Sequence, residues 1–280
     1  MSRAVKIFVL ALVELAAWLC FLGIARGDAK QDLQTAYVGK QYVLRNFYSG
    51  DHLKYDSQGN LTGGGEPGMW ALDGIVRIEK FKLESETLQF AGQRLIVGWD
   101  PTHGQLYKLG GEPVTIDIEL GSGGLLPDGL QAALARVFYP FSTDASQLMP
   151  TYWQRFIELP QAKRDPFQVA TASDGEPIYV ITAERPTMPA RWQDFEPIRT
   201  PDPPYSDRAR SRRTQGAMGA AILIDRHGRV ADVILTGKPL GDGLDQNAAA
   251  TLRNWTFKPA TKDGAAQNVI VHVDLSFRVS

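Results

Sequence analysis

The 280-residue chain has a single cysteine, Cys20. That excludes an intramolecular disulfide, and it excludes a structural zinc site built on two to four thiolates. Histidine is scarce too: His52, His103, His227 and His272 stand at no spacing that suits a metal. Neither sign of charge dominates. Thirty Lys+Arg face 31 Asp+Glu, a net of −1, which excludes the strongly basic class of nucleic-acid binders. Gly63-Gly64-Gly65 lacks the Gly-Lys-Ser/Thr of a phosphate loop, and Gly121-Ser122-Gly123-Gly124 lacks the context of a nucleophile elbow. Asp117 and Glu119 alternate on one strand face about 6.5–7 Å apart, the separation of an inverting carboxylate pair. The alternation around them is that of a strand face turned to water. No nucleophile, base and orienting group come together, so the chain is read as a non-enzyme with no cofactor and no metal.

Long apolar runs are absent except at the N-terminus. Arg3 and Lys6 precede Ile7 to Ala25, 19 residues with one charge, Glu14. A positive flank before an apolar stretch directs a chain to a membrane. A spanning helix needs about 20 apolar residues, so residues 7–25 suit a membrane anchor. A signal peptide cleaved near Gly27, after Ala25-Arg26-Gly27, is the alternative. Glu14 would be costly at mid-bilayer, and bulky Trp18 and Leu19 before Cys20 argue against a lipid-attached cysteine. Either way, the chain beyond Gly27 is expected outside the cytoplasm.

With 44% hydrophobic and 22% charged residues, the remainder can fill a packed core. Residues 28–36 read as a polar tether. Residues 37–183 read as a β-rich middle domain with helices. Strand signals run at Tyr42–Leu44, Phe47–Tyr48, Ile75–Leu83, Thr87–Phe90 and Leu95–Trp99, with Gly92 as a break between the last two. Val114, Ile116, Ile118 and Leu120 alternate with polar residues and predict a half-buried strand. Helical spacing predicts helices over Asp128–Phe138 and Thr151–Leu159. The latter's Tyr152, Trp153, Phe156 and Ile157 read as a stripe packed on a sheet. Ile178-Tyr179-Val180-Ile181 predicts a strand. Six prolines between Pro186 and Pro204 mark residues 184–203 as an inter-domain linker, able to span roughly 60 Å if extended.

Residues 204–280 carry the clearest pattern. Ser206-Asp207 opens a short helix that holds Arg208, Arg210, Arg212 and Arg213, a basic cluster read as a solvated face. Gly216–Asp225 and Arg229–Leu235 form a hairpin around Asp225-Arg226-His227-Gly228. Leu244, Ala248 and Leu252 recur at helical spacing. The last strand, Val269–Val279, puts Val269, Val271, Val273, Leu275 and Phe277 on one face and Ile270, His272, Asp274 and Ser276 on the other. The order predicts a three-stranded antiparallel sheet with two helices, in an α+β chain. So small a sheet exposes edges, and an exposed edge is a template for an added strand. It can also pair two copies into a homodimer.

This region resembles the TonB C-terminal domain, the periplasmic end of a protein that carries inner-membrane energy to outer-membrane receptors. The resemblance rests on Pro204-Tyr205, Gly216, Ile222-x-Ile224-Asp225-x-x-Gly228-x-Val230, Gly243-Leu244-Asp245, Trp255-x-Phe257-x-Pro259-Ala260, Asp263-Gly264 and the final alternating strand. It implies that the last strand pairs with a receptor's short N-terminal peptide, the TonB box. Carried over here, the strand-binding residues are Val269, Ile270, Val271, His272, Val273, Asp274, Leu275, Ser276 and Phe277. It further implies an inner-membrane proton-driven motor complex as a partner. Three features depart from the family: the proline segment is short and irregular, the anchor carries no histidine, and a folded segment of about 150 residues stands where a spacer would be. A second reading is a soluble periplasmic binding protein. Its β-rich domain would hold a ligand, and its last domain would serve for docking or dimerisation.

Overall fold

The computed structural model describes residues 29–121, 127–158, 166–182 and 188–278. The expected span at 7–25, with Glu14 and Cys20, lies outside them. Among the described residues no helix is long and apolar enough to cross a membrane.

The first half opens with helix α1 (Ala29–Tyr37). Short strands follow: β1 (Gln41–Val43), β2 (Tyr48–Ser49), β3 (His52–Tyr55), β4 (Leu61–Gly63) and β5 (Glu66–Pro67). After helix α2 (Trp70–Asp73) come three long strands, β6 (Ile75–Leu83), β7 (Thr87–Asp100) and β8 (Gln105–Glu119). Helix α3 (Pro127–Val137), a 3-10 turn at Ala145–Leu148 and helix α4 (Thr151–Glu158) complete this half. A hairpin of β9 (Phe167–Thr171) and β10 (Pro177–Ile181) follows. The proline-rich stretch holds β11 (Trp192–Gln193) and β12 (Glu196–Arg199). The last part runs α5 (Asp207–Arg212), β13 (Gly216–Ile224), β14 (Val230–Thr236), α6 (Leu244–Leu252), β15 (Thr256–Lys258), β16 (Thr261–Lys262), β17 (Ala265–Ala266) and β18 (Asn268–Phe277).

The α+β class holds. Three local expectations change. Residues 29–37 are a helix rather than a tether, because Leu33 and Tyr37 bury one side of it against the sheet. Gly92 does not break β7. A Cβ there would stand 2.0 Å from the Arg77 carbonyl oxygen, so glycine lets β6 come close while the strand runs on. The third change is architectural. The C-terminal strands are not a separate three-stranded sheet but the middle of an 11-stranded one, in the order β4-β3-β8-β7-β14-β13-β18-β10-β9, with β6 and β1 branching from β7.

Two parallel joints make this sheet continuous. On one side β14 meets β7 through Leu235–Gly98 and Thr236–Trp99, and the Gly237 N–H donates to the Trp99 carbonyl at 2.9 Å. On the other side β18 meets β10 over Asn268–Val271 and Ile178–Ile181. The central strands are therefore buried on both faces. Met218, Ala220, Ile222 and Ile224 of β13 join Leu244, Ala248 and Leu252 of α6 in one core. Ala221, Leu223, Ile234 and Ile270 point the other way, into a core with Trp70 of α2 and Trp153 of α4. A third core lies under α1 and α3, built on Tyr37, Tyr42, Phe90 and Phe138.

The proline-rich stretch is a strap where it is described. β11 pairs with β16, β12 pairs with β15, and the Trp255 indole N–H donates to the Pro201 carbonyl at 3.0 Å. Apolar anchors explain why it does not float as an extended spacer: Phe195 packs edge-on against Phe257 at 5.7 Å.

Two buried polar knots tie the halves. At the bulge between Gln93 and Leu95, β7 leaves β6 on its way to β14, and Arg94 is buried there. Arg94 donates to the carbonyls of Asp73 (3.0 Å), Tyr48 (2.8 Å) and Gly50 (2.7 Å). The Asp73 carboxylate accepts from the Met69 N–H at 2.7 Å and from Arg253, just past α6, at 2.8 Å. In the second knot, Asp232 of β14 accepts from Tyr152 Oη at 2.7 Å and Trp153 Nε1 at 2.8 Å. Burial pushes the Asp232 carboxyl up from 3.8 to about 6, although its three donors pull the other way.

Because that value is raised on folding, Asp232 favours the folded state fully below about pH 4, and the benefit is lost as pH rises through about 6. A shift of this size corresponds to about 3 kcal/mol. The Asp232→Asn variant keeps an acceptor oxygen and removes the titration. Its stability relative to the parent, measured by urea unfolding, should therefore rise by about 2 kcal/mol from about pH 4 to about pH 7. A pH-independent difference would contradict the buried ionisation.

Candidate functional site

The nine residues expected to bind a partner strand all lie on β18, but the fold divides them. Val269, Ile270 and Val271 are paired on both sides, with Ile224, Leu223 and Ile222 of β13 and with Tyr179, Val180 and Ile181 of β10. His272, Val273, Asp274, Leu275, Ser276 and Phe277 pair with β13 alone among the described residues. The expectation of one open edge along the whole strand is corrected at Val269–Val271, which β10 covers.

Burial changes at the same point. Asn268 to Val271 are buried in succession. Beyond them the side chains of His272 and Asp274 are 38% and 81% exposed, while Leu275 and Phe277 stay buried on the α6 side. β18 thus starts as an interior strand and ends as a half-wet one. On the wet face Thr236 Oγ1 lies 3.0 Å from His272 Nε2, which in turn has its Nδ1 3.8 Å from Asp274. Gly219 sits under this group, and a Cβ there would stand 2.7 Å from His272 Nε2. On the dry face Tyr205 meets Phe277 edge-on at 6.0 Å and donates its hydroxyl to the Thr214 carbonyl.

The basic cluster borders this end. Ser206 caps α5 by accepting from the Ala209 N–H at 3.0 Å. Arg208 and Arg212 both reach Asp242, at 3.0 and 2.9 Å. The hydrogen bond from the Thr214 hydroxyl, the largest single cause, and the charges of Arg212 and Arg208 hold the Asp242 carboxyl below its ordinary range.

The closed half of the edge is held by more than its ladder. The Asn268 side chain accepts from the Arg226 N–H at 3.1 Å and donates to the Pro177 carbonyl at 3.4 Å. The Arg226 guanidinium reaches Asp174 (3.3 Å) and Glu176 (3.4 Å) in the turn joining β9 to β10. Tyr179 packs edge-on against Trp192 of the strap at 4.9 Å, and Lys262 stands over both rings.

The other sequence candidates have plain structural roles. Asp117 accepts from His52 at 2.6 Å and from Gln89 at 2.8 Å, as a strand-face residue with its own partners. His227 lies in the hairpin turn, with its N–H donated to Asp225 at 2.8 Å. Two clefts stand apart from β18. One, of about 390 Å³, lies between α6 and the β7–β8 ribbon and is lined by Leu72, Arg94, Ile96, Ala249 and Arg253. The other, of about 470 Å³, is lined by Trp70, Trp99, Leu106, Lys108, Met149 and Ile157.

Sequence reasoning missed Arg94, Asp73 and Asp232, which carry no motif. It also missed the role of β10. A signal for that did exist: Ile178 to Ile181 and Val269 to Val271 are unbroken apolar runs, and such runs mark strands buried on both faces.

Residues 201–279 match the family described as Gram-negative bacterial TonB protein C-terminal. No curated protein matches the chain. Among solved structures, the solution NMR structure of the Pseudomonas aeruginosa TonB CTD matches at 17% identity, over 35% of this chain and 93% of its own, with a TM-score of 0.28. The family match lies in the last part of the chain and covers less than a third of the whole.

Replacing Asn268 by leucine removes both of its side-chain bonds, to the Arg226 N–H and to the Pro177 carbonyl. A loss of about 1–3 kcal/mol is expected in denaturant unfolding. An unchanged midpoint would show that the bridge contributes nothing to the joint.

Proposed function

We propose that this chain is a periplasm-facing TonB-like protein. It binds an extended partner peptide by adding it as a strand to β18 at Val273–Phe277, in energy transduction to outer-membrane transport. One observation carries the reading. Inside the region that matches the TonB C-terminal family, one half of the last strand has no ladder partner on its outer side among the described residues. Main-chain groups along such an edge bind any extended segment, and the pockets beside it choose among segments. The partner is then the TonB box of an outer-membrane receptor, and residues 7–25 tether the chain to the inner membrane beside a proton-driven motor complex. Nothing in this mechanism calls for nucleic acid, metal or cofactor.

A cross-linking experiment tests the contact. In full-length protein carrying Cys20→Ser, the variant Ser276→Cys has one thiol beside the open edge. A TonB-box peptide bearing a cysteine should form a mixed disulfide with it, read by mass. A control with Glu119→Cys, exposed at the far end of β8, should not. Equal reaction at both positions, or at neither, contradicts the assignment.

The cleft of about 470 Å³ favours a second reading, because all its lining residues fall between 70 and 157, inside the β-rich segment. Here the signal is cleaved near Gly27, and the soluble protein holds a small apolar ligand, with the TonB-like domain for docking or for pairing two copies. Volumes of this order suit small molecules. Trp70 and Trp99 supply the readout. Anilinonaphthalene sulfonate should bind the parent protein and quench tryptophan emission, and Trp99→Ala should abolish the binding. Equal binding by parent and variant would place the probe elsewhere.

A further inference from the structure

We infer that the cleft of about 390 Å³ between α6 and the β7–β8 ribbon binds a small organic monocarboxylate, with the acid group on Arg253 and a short apolar body on Leu72, Ile96 and Ala249. It is a different surface from β18 and a different cavity from the one lined by Trp70 and Trp99. The inference does not depend on strand addition.

The floor of the cleft has a place for one anionic group. Arg94 and Arg253 share a single carboxylate, Asp73. Arg253 Nη2 donates to Asp73 Oδ2 at 2.8 Å, and Arg94 Nη1 stands 3.7 Å from Asp73 Oδ1. The other groups that hold Arg94 are neutral carbonyls. Burial lowers the Arg94 pKa below its ordinary value, Asp73 opposes that, and Arg253 adds to it. Two guanidinium groups against one carboxylate leave one positive charge in excess, partly withdrawn from water, where an anion is favoured. The side chains of Arg94 and Asp73 are only 5% and 2% exposed, so the floor is fixed before a ligand arrives. Arg253 is half-buried, and its Nε and Nη1 have no partner among the described residues. Such an arginine donates charge-assisted hydrogen bonds to a carboxylate.

The walls and the mouth define the rest of the molecule. Leu72, Ile96 and Ala249 are buried apolar residues on the lining. Asp51 and Glu112 also line the cleft but are exposed, and neither has an ion pair among the described residues. They repel a ligand that carries a second negative charge. The volume suits a compact molecule. Leu72 and Ile96 come from the middle segment, whereas Ala249 and Arg253 come from the region of the family match. A ligand held between them stabilises the folded form by mass action.

Calorimetric titration of the full-length protein with isovalerate tests the site. Binding should saturate, and the thermal unfolding midpoint should rise with ligand concentration. Isoamyl alcohol keeps the apolar body and lacks the charge. It should bind about tenfold more weakly or worse, the worth of one charged hydrogen bond. Glutarate, with its second carboxylate, should bind more weakly than isovalerate. Arg253→Gln should lose about tenfold or more in affinity for isovalerate. Should that variant fail to fold, Ala250→Trp decides. Ala250 is an exposed residue on the lining, so the indole fills the cleft from a solvent-facing position. Binding should vanish there, with the unfolding midpoint of the unliganded protein unchanged. Alcohol or glutarate binding as tightly as isovalerate would overturn the ligand class. Parental affinity in Ala250→Trp, or no binding of isovalerate to the parent, would overturn the site.

Discussion

Three antiparallel strands with helices on one side leave one apolar face and two edges uncovered, and everything else in this molecule answers that deficit. The back face of β13, β14 and β18 presents Ala221, Leu223, Ile234 and Ile270. Each large side chain of this kind is worth roughly 1.5–3 kcal/mol when buried, so a bare face would be a major loss for so small a unit. The middle segment supplies the cover through α2 and α4. It also takes part of each edge, with β7 on the end of β14 and β10 on the start of β18.

This arrangement explains where the polar groups sit. A helix covering an apolar face brings its own donors along, and the indole of Trp153 and hydroxyl of Tyr152 would be costly without acceptors. Asp232 receives both, at the cost of a carboxyl held far from its ordinary ionisation. Asp73 and Arg94 do the same where the sheet branches, with Arg253 as the link to α6. The strap follows the same logic. Phe195 and Trp192 are apolar residues between prolines, and they fold back onto Phe257 and Tyr179. The segment thereby loses the reach of a free proline-rich spacer.

Much of this was legible in the sequence because it is local. The β13–β14 hairpin follows from alternation and from Gly228, whose positive φ of 78° and contact with Phe257 suit glycine alone. Helix α6 follows from Leu244, Ala248 and Leu252, and β18 from its alternating valines. What was not legible is long-range pairing. The apolar run at 178–181 shows a strand and hints at two buried faces, but nothing names Asn268–Val271 as its neighbour. The same holds for the site. Alternation put Ile270 and His272 on one face, but that face turns wet only at His272, where the pairing with β10 has ended. Arg94 and Asp232 carry no motif, and only the bulge and α4 enclose them.

The central claim is that the middle segment and the TonB-like domain are one cooperative body. Differential scanning calorimetry of the protein tests it most directly, by comparing the calorimetric enthalpy of unfolding with the van't Hoff enthalpy from the same curve. A single transition with a ratio of about one is the predicted result. Two transitions, or a ratio near two, would mean that the halves unfold independently and that the joints at β7–β14 and β10–β18 do not bind them.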